Sequence, residues 1–360
     1  KRQGLISELN EQLNLKTTYV TSDAKDDGLI RSHPNYRAIF IPEGLFRTIF
    51  FQVNQSDVFV LTMMDLDNLQ LKRSLHPVHY VYLFHSMGST HMVDHENSFD
   101  HYDSLFCTGP HQVAEIRKRE QLKGLPAKHL FEYGHPRLED VIRQGEEWHK
   151  HRNELAPATI LIAPTWGDDS IFNTCGEPLI EILLEAGYRV IMRPHYHSRR
   201  LTPGVIDALR NRFDNHQRFE YVDQMGETDS ILRSDLLICD WSAMAMEYSM
   251  GLEKPVLFID VPRRIRNPNW QELGMEPVES AIREQVGEII SPESLGRVPA
   301  AIERLLASPG DFRSRVRALR DQSVYCLGSS IQAGAREIAR LAKEHRQSRL
   351  EREKQGRASG

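Results

Sequence analysis

Cysteine is scarce in this 360-residue chain: Cys107, Cys175, Cys239 and Cys326 lie far apart and form no CxxC pair. That excludes a disulfide-stapled secreted scaffold and leaves no supporting spacing for zinc, so buried thiols in a reducing cytoplasm are expected. No apolar run approaches the roughly 20 residues of a membrane span. There is no basic excess either; a net charge of −5 argues against a general nucleic-acid binder. Repeats of 20–50 residues and long low-complexity tracts are absent, which excludes solenoids and arrays. The chain starts at Lys1, without Met, on a helix-like segment with Leu5, Ile6, Leu9 and Leu13 at helical spacing. An α/β domain normally begins with a strand, so residues upstream are expected, including a first strand or a membrane-associated segment.

What is present is an alternation of short apolar runs with helical stretches, in a composition 40% hydrophobic and 26% charged that suits two domains with full cores. Strands are predicted at 17–21, 38–41, 58–62, 78–84, 104–107 and 130–133, with helices such as 46–54 and 111–122 among them. The sequence turns polar over 144–153, where a domain boundary is placed. A second series follows, with strands at 159–163, 189–192, 219–222, 236–239 and 256–259, a helix over 178–185 stopped by Gly187, and helix over 311–350 interrupted around Gly328. This pattern predicts an α/β protein with parallel sheets. The expected layout is two Rossmann-like domains, 1–152 and 153–334, facing each other across a cleft as in the GT-B architecture, then a helix and basic tail over 335–360. From Arg336 to Arg357 there are eight Lys/Arg and four Asp/Glu, which reads as a solvated helix end or as attraction to an anionic membrane surface.

Polar residues gather where the strands end, the edge at which open α/β sheets bind ligands. Residues 234–260 read as strand, turn, helix, strand, the helix covering 243–250 and stopping at Gly251. Asp240 and Ser242 then stand at a helix N-terminus, where unpaired N–H groups and the dipole attract phosphate. After the fourth strand, Phe84-His85-Ser86-Met87-Gly88-Ser89-Thr90 joins an imidazole to hydroxyl and backbone donors; His85 is a general base or only a strand cap. Gly109-Pro110-His111-Gln112 reads equally as a border of the acceptor cleft and as a loop-to-helix cap. Further on, His135 reads as a turn residue and Arg137 as a guanidinium for phosphate. In the second series, Thr165 and Gly167 of 163–169 (APTWGDD) offer a hydroxyl and an open backbone to a donor, Trp166 reads as packing, and Asp168-Asp169 read as a cap or a metal pair. Arg193 and His195 follow the next strand and suit charge developing on phosphate, while His195 and His197 also have HxH metal spacing without a third ligand.

The motifs HSMGST, GHPRLED, APTW, RPH and SDLLICDWSAMAMEYS together resemble the CDP-glycerol glycerophosphotransferase family across residues 19–334, the last motif being the most specific. The resemblance implies a GT-B enzyme that transfers glycerol phosphate, or a related polyol phosphate, from a CDP-activated donor to an acceptor hydroxyl, releasing CMP, in synthesis of a cell-surface polymer or glycan. It matches His85 to the catalytic base, His195 to a second essential histidine at the donor phosphate, and Asp240, Ser242 and Glu247 to the donor-binding turn and helix. Thr165 and Arg193 complete the expected donor side; Ser86, Ser89, His111 and Arg137 are expected on the acceptor side or in the cleft. Three departures stand out: Ala243 replaces a second turn serine, Ser86-Met87-Gly88-Ser89 replaces the usual Gly-Thr, and Glu247 replaces Asp. CDP-glycerol, CDP-ribitol and an ordinary nucleotide sugar remain open as donors. No metal site and no obligatory cofactor is implied, with Mg2+ admitted beside the nucleotide. The expected partners are the CDP-polyol and a lipid-linked or glycan acceptor, without nucleic acid, in the cytoplasm with peripheral contact at the inner membrane face. The competing readings are a GT-B glycosyltransferase acting at a sugar carbon and a non-catalytic nucleotide-binding protein.

Overall fold

The computed structural model describes residues 2–64, 66–67, 71–150, 157–223 and 228–358. The chain divides into two compact units, one of Lys1–Ser86, Asp94–Pro136 and Val324–Gly360, the other of Met87–Val93 and Arg137–Ser323. The boundary expected at 152/153 falls at 151–156, outside the described residues. The division runs differently from the expected one in two places: the helix Pro136–His149 goes almost wholly with the second unit, and seven residues after the fourth strand join it as well, whereas the C-terminal helix goes with the first unit, as the GT-B layout leads one to expect.

In the first unit, β1 (Thr17–Thr21) and β2 (Tyr36–Phe40) form a parallel pair. The main sheet is β3 (Val58–Leu61), β4 (His79–Leu83), β5 (Ser104–Cys107) and β6 (His129–Glu132), parallel and in that order. β5 is buried throughout: Leu105, Phe106 and Cys107 are apolar, as a strand covered on both faces requires, and the buried Ser104 hydroxyl is hydrogen-bonded with His79 Nε2 at 2.7 Å. Tyr80, Tyr82, Phe99 and Leu105 fill one face, while Val81, Phe106 and Tyr133 pack with Ala335, Ile338 and Leu341 of the helix Ser330–Ala358 and with Leu5 and Leu9. The N-terminal helical segment is thus held by its apolar spacing, as α-helix over Arg2–Ser7 and π-helix over Glu8–Gln12.

The second unit is one six-stranded parallel sheet: β7 (Thr159–Ile162), β8 (Arg189–Met192), β9 (Phe219–Tyr221), β10 (Leu236–Cys239), β11 (Val256–Ile259) and β12 (Gly287–Ile290). The spatial order is β12-β11-β10-β7-β8-β9. The chain moves outward from β7 to β9, then returns and moves the other way from β10 to β12. Neighbouring β7 and β10 therefore flank the topological switch point, where doubly wound sheets open a crevice at the carboxyl edge.

Two expectations about this unit need correction. β12 was not expected, because Gly287 and Glu288 break any apolar run; the glycine is required, since a Cβ there would stand 1.7 Å from the Val256 carbonyl oxygen. Nor does Gly251 stop its helix, which runs Met244–Leu252 and ends at Glu253 in the left-handed conformation, φ 55°. Gly251 is there for packing: a Cβ would lie 2.5 Å from Val141 Cγ1. Among the described residues no helix is long and apolar enough to cross a membrane.

Candidate functional site

In the second unit the loops after β7, β8, β10 and β11 leave the same edge of one parallel sheet, so Thr165, Arg193, His195, Asp240 and Ser242 are carried to that edge by topology. Asp240 is fully buried, and its Oδ1 accepts the Thr165 backbone N–H at 2.8 Å. The carboxylate ties the loop after β7 to the end of β10, across the switch point. Burial pushes its pKa up, opposed by the hydrogen bonds from Thr165. Asp240, expected as a donor contact, thus acts on the backbone of the neighbouring loop. Ser242 keeps the expected place, its Oγ accepting from Met244 N at 3.3 Å at the start of the helix Met244–Leu252.

Arg193 is buried and donates from Nη1 to Ser230 Oγ at 3.3 Å. His195 caps the short helix Tyr196–Leu201: its Nδ1 accepts from His197 N at 3.1 Å. Burial first, then the neighbouring His197, Arg264 and Arg199, lower its pKa to about 4. The ring is therefore neutral at pH 7. With Nδ1 occupied as an acceptor, its proton sits on Nε2, which makes His195 a neutral hydrogen-bond donor.

Trp166, expected to be packing, is part of this arrangement. Its ring lies 6.3 Å from His195 at 27° and 4.6 Å from His197, and Arg264 Cζ stands 3.5 Å over it. An aromatic residue inside the polar run APTWGDD was the available signal. Arg264, in the run Pro262-Arg263-Arg264-Ile265-Arg266, belongs to none of the motifs singled out from the sequence.

Glu247 and Arg137, expected on the donor side and in the cleft, are ion-paired with each other, their side chains 15% and 16% exposed. Ser89 is also not a surface group. It is buried, its N–H donates to Glu279 Oε1 at 2.9 Å, and its Oγ accepts from Val278 N at 2.6 Å, capping the helix Val278–Val286. Gly/Ser/Thr loops serve packing as readily as ligands, and here the serine is used to anchor Met87–Val93 in the second unit.

The first unit carries His85, Ser86 and His111 beyond β4 and β5. His85 is exposed, with the Tyr82 hydroxyl 3.4 Å from Nδ1. Gln112 braces this loop: Nε2 donates to the Ser86 carbonyl at 3.0 Å, and Oε1 accepts from Thr108 N at 2.8 Å and Thr108 Oγ1 at 3.1 Å. His111 opens the helix Pro110–Lys123, with Nε2 buried and without a hydrogen-bond partner among the described residues. No group of three or more His, Cys, Asp or Glu among the described residues is placed to hold a metal ion, Asp168-Asp169 and the His195/His197 pair included.

Residues 81–261, half of the chain, match the family model described as CDP-glycerol:poly(glycerophosphate) glycerophosphotransferase. A search of curated proteins found no significant match. Among solved structures, the wall teichoic acid polymerase TagF has a TM-score of 0.62 at 16% identity, with 95% of this chain and 85% of that chain covered. A TagF variant soaked with CDPG gives 0.59 at 15% over the same shares. UDP-GlcNAc 2-epimerase of Methanocaldococcus jannaschii, in complex with UDP-GlcNAc and UDP, gives 0.54 at 13%, with 89% and 95% covered. At such identities these likenesses establish the fold, which is of the GT-B type. With the family model spanning the β4 loop through the β11 end, the chain belongs to the CDP-glycerol:poly(glycerophosphate) glycerophosphotransferase family of transferases.

Proposed function

We propose that this chain transfers glycerol phosphate, or a related polyol phosphate, from a CDP-activated donor to an acceptor hydroxyl and releases CMP. The observation that carries the reading is the family match over residues 81–261, which contains both His85 and His195. His85 takes the proton of the acceptor hydroxyl. The oxygen attacks the β-phosphorus of the donor, the bond from that phosphorus to the bridging anhydride oxygen breaks, and CMP leaves with that oxygen. His195 offers its Nε2–H to the diphosphate, and Ser242 and the first turn of the helix Met244–Leu252 add donors, while Asp240 holds the Thr165 backbone in place. Positioning and electrostatics supply most of the rate in such transfers.

TagF, whose fold the chain shares, is a wall teichoic acid polymerase. That supports a polyol-phosphate polymer or glycan as the product class and a lipid-linked or glycan acceptor. We place the enzyme in the cytoplasm, in peripheral contact with the inner membrane face where such an acceptor is presented. Leu45, Phe46, Ile49 and Val53 are exposed on the helix Leu45–Val53, an apolar face that suits a lipid interface. No obligatory metal is assigned, so full activity in EDTA is expected. The test is incubation with CDP-glycerol, CDP-ribitol and nucleotide sugars in parallel, with a phospho-glycan or lipid-linked acceptor. CMP release with a CDP-polyol supports the reading; no release above blank with any of them sinks it.

A further inference from the structure

We infer that Arg264 is a donor-binding residue, its guanidinium taking the diphosphate of the activated donor. It follows β11, outside the family-matched residues 81–261 and outside every motif that the resemblance rests on. The inference rests on reading the carboxyl edge of the second unit as a nucleotide-diphosphate site.

Its surroundings differ from those of its neighbours. Arg199 is paired with Asp223, Arg263 with Glu276 and Arg283 with Asp260. Arg264 is half-buried, and its guanidinium has no hydrogen bond or ion pair among the described residues. A half-buried cation without a hydrogen-bonded counter-charge is costly, and such a group is retained where a ligand supplies that charge. Burial and Arg266 lower its pKa to about 10, offset in part by Asp240, so it remains cationic at neutral pH. Stacking 3.5 Å over Trp166 fixes the plane of the guanidinium and leaves its N–H edge for a ligand. Trp166 also faces His195, so the cation and the neutral imidazole donor flank one ring. The planar fork of arginine suits two phosphate oxygens at once.

The experiment is calorimetric titration of the wild type, R264A and R264K with CDP and with inorganic pyrophosphate, run beside CMP release from CDP-glycerol. R264A is expected to weaken both ligands by at least about tenfold, as loss of charge-assisted hydrogen bonds implies. Its thermal midpoint should fall only slightly, because the stacking on Trp166 is lost but no protein ion pair is removed. R264K keeps the charge and stem but not the fork, and should recover only part of the affinity. Wild-type affinity for both ligands in R264A, or full recovery in R264K, overturns the inference, as does a wild type that binds neither ligand. A wild type that binds both ligands with the expected R264A loss, yet releases no CMP from any CDP-polyol, leaves Arg264 supported and removes the transfer reading alone.

Discussion

Two histidines follow parallel strands in the two units, and their settings are opposite. His85 comes two residues after β4, exposed, beside a tyrosine hydroxyl, on a loop braced from below by Gln112. His195 comes three residues after β8, half-buried, with Nδ1 engaged by its own helix and cationic groups around it. The first setting leaves a ring open to exchange protons with a substrate. The second holds a ring neutral and leaves the proton on Nε2. On the proposed reading the same side chain serves as a base in one unit and as a fixed donor in the other, and the environment makes the difference.

The largest expected effect tests the base. His85→Ala should lower kcat by about 10^3-fold, within the range of a general base, with donor affinity changed by less than about twofold. CMP release and CDP titration measure both; a variant keeping more than about a tenth of wild-type kcat breaks the contrast. His195→Ala should lower kcat/KM by about 10^2-fold, with the loss visible in CDP affinity, which an effect confined to kcat would contradict.

A pH series sharpens the same contrast. The folded pKa of His195 is about 4, below its ordinary 6.5, so the unfolded chain takes a proton first as pH falls. The stability due to the neutral ring is fully present above pH 6.5 and is lost as pH falls through 6.5 towards 4. His195→Asn, which keeps a capping oxygen, should show a smaller loss of melting temperature over that window. Equal slopes would mean that the ring is not held neutral.

Smaller effects belong to the supports. Gly251→Ala should cost about 1–3 kcal/mol despite the better helix propensity of alanine, because the added methyl meets Val141. Asp240→Asn should be the mildest for folding. Burial raises the Asp240 pKa from 3.8, so its charged form weakens the fold as pH rises above that value. The Asn variant, with an acceptor still available to Thr165 N, should melt slightly higher at pH 7, the gap closing as pH approaches 3.8. A lower melting temperature at pH 7 would show that the charge itself stabilises the switch point.

Much of the fold was legible because buried parallel strands are runs of mostly apolar residues: Ser104–Cys107, Leu236–Cys239 and Val256–Ile259 all read directly. β12 was not, because Gly287 answers to a backbone contact that no local pattern carries. In the site, the strand-end rule placed Thr165, Arg193, His195, Asp240 and Ser242 on one edge. It did not say which of them face a ligand, since that depends on contacts distant in sequence. Asp240 turned out to brace Thr165, Glu247 to hold Arg137, and Ser89 to cap the helix Val278–Val286, each partner at least 75 residues away. Trp166 and Arg264 were passed over for the same reason: 98 positions separate two groups that stack.

The most direct test of the central claim is the chemistry of the acceptor after reaction with CDP-glycerol, followed by phosphorus NMR and product mass. The expected result is a new phosphodiester on the acceptor, a gain of one glycerol phosphate per transfer, and one CMP released for each. An acceptor that gains a sugar without phosphorus, with a nucleoside diphosphate released from a nucleotide sugar and CDP-glycerol left intact, would contradict it.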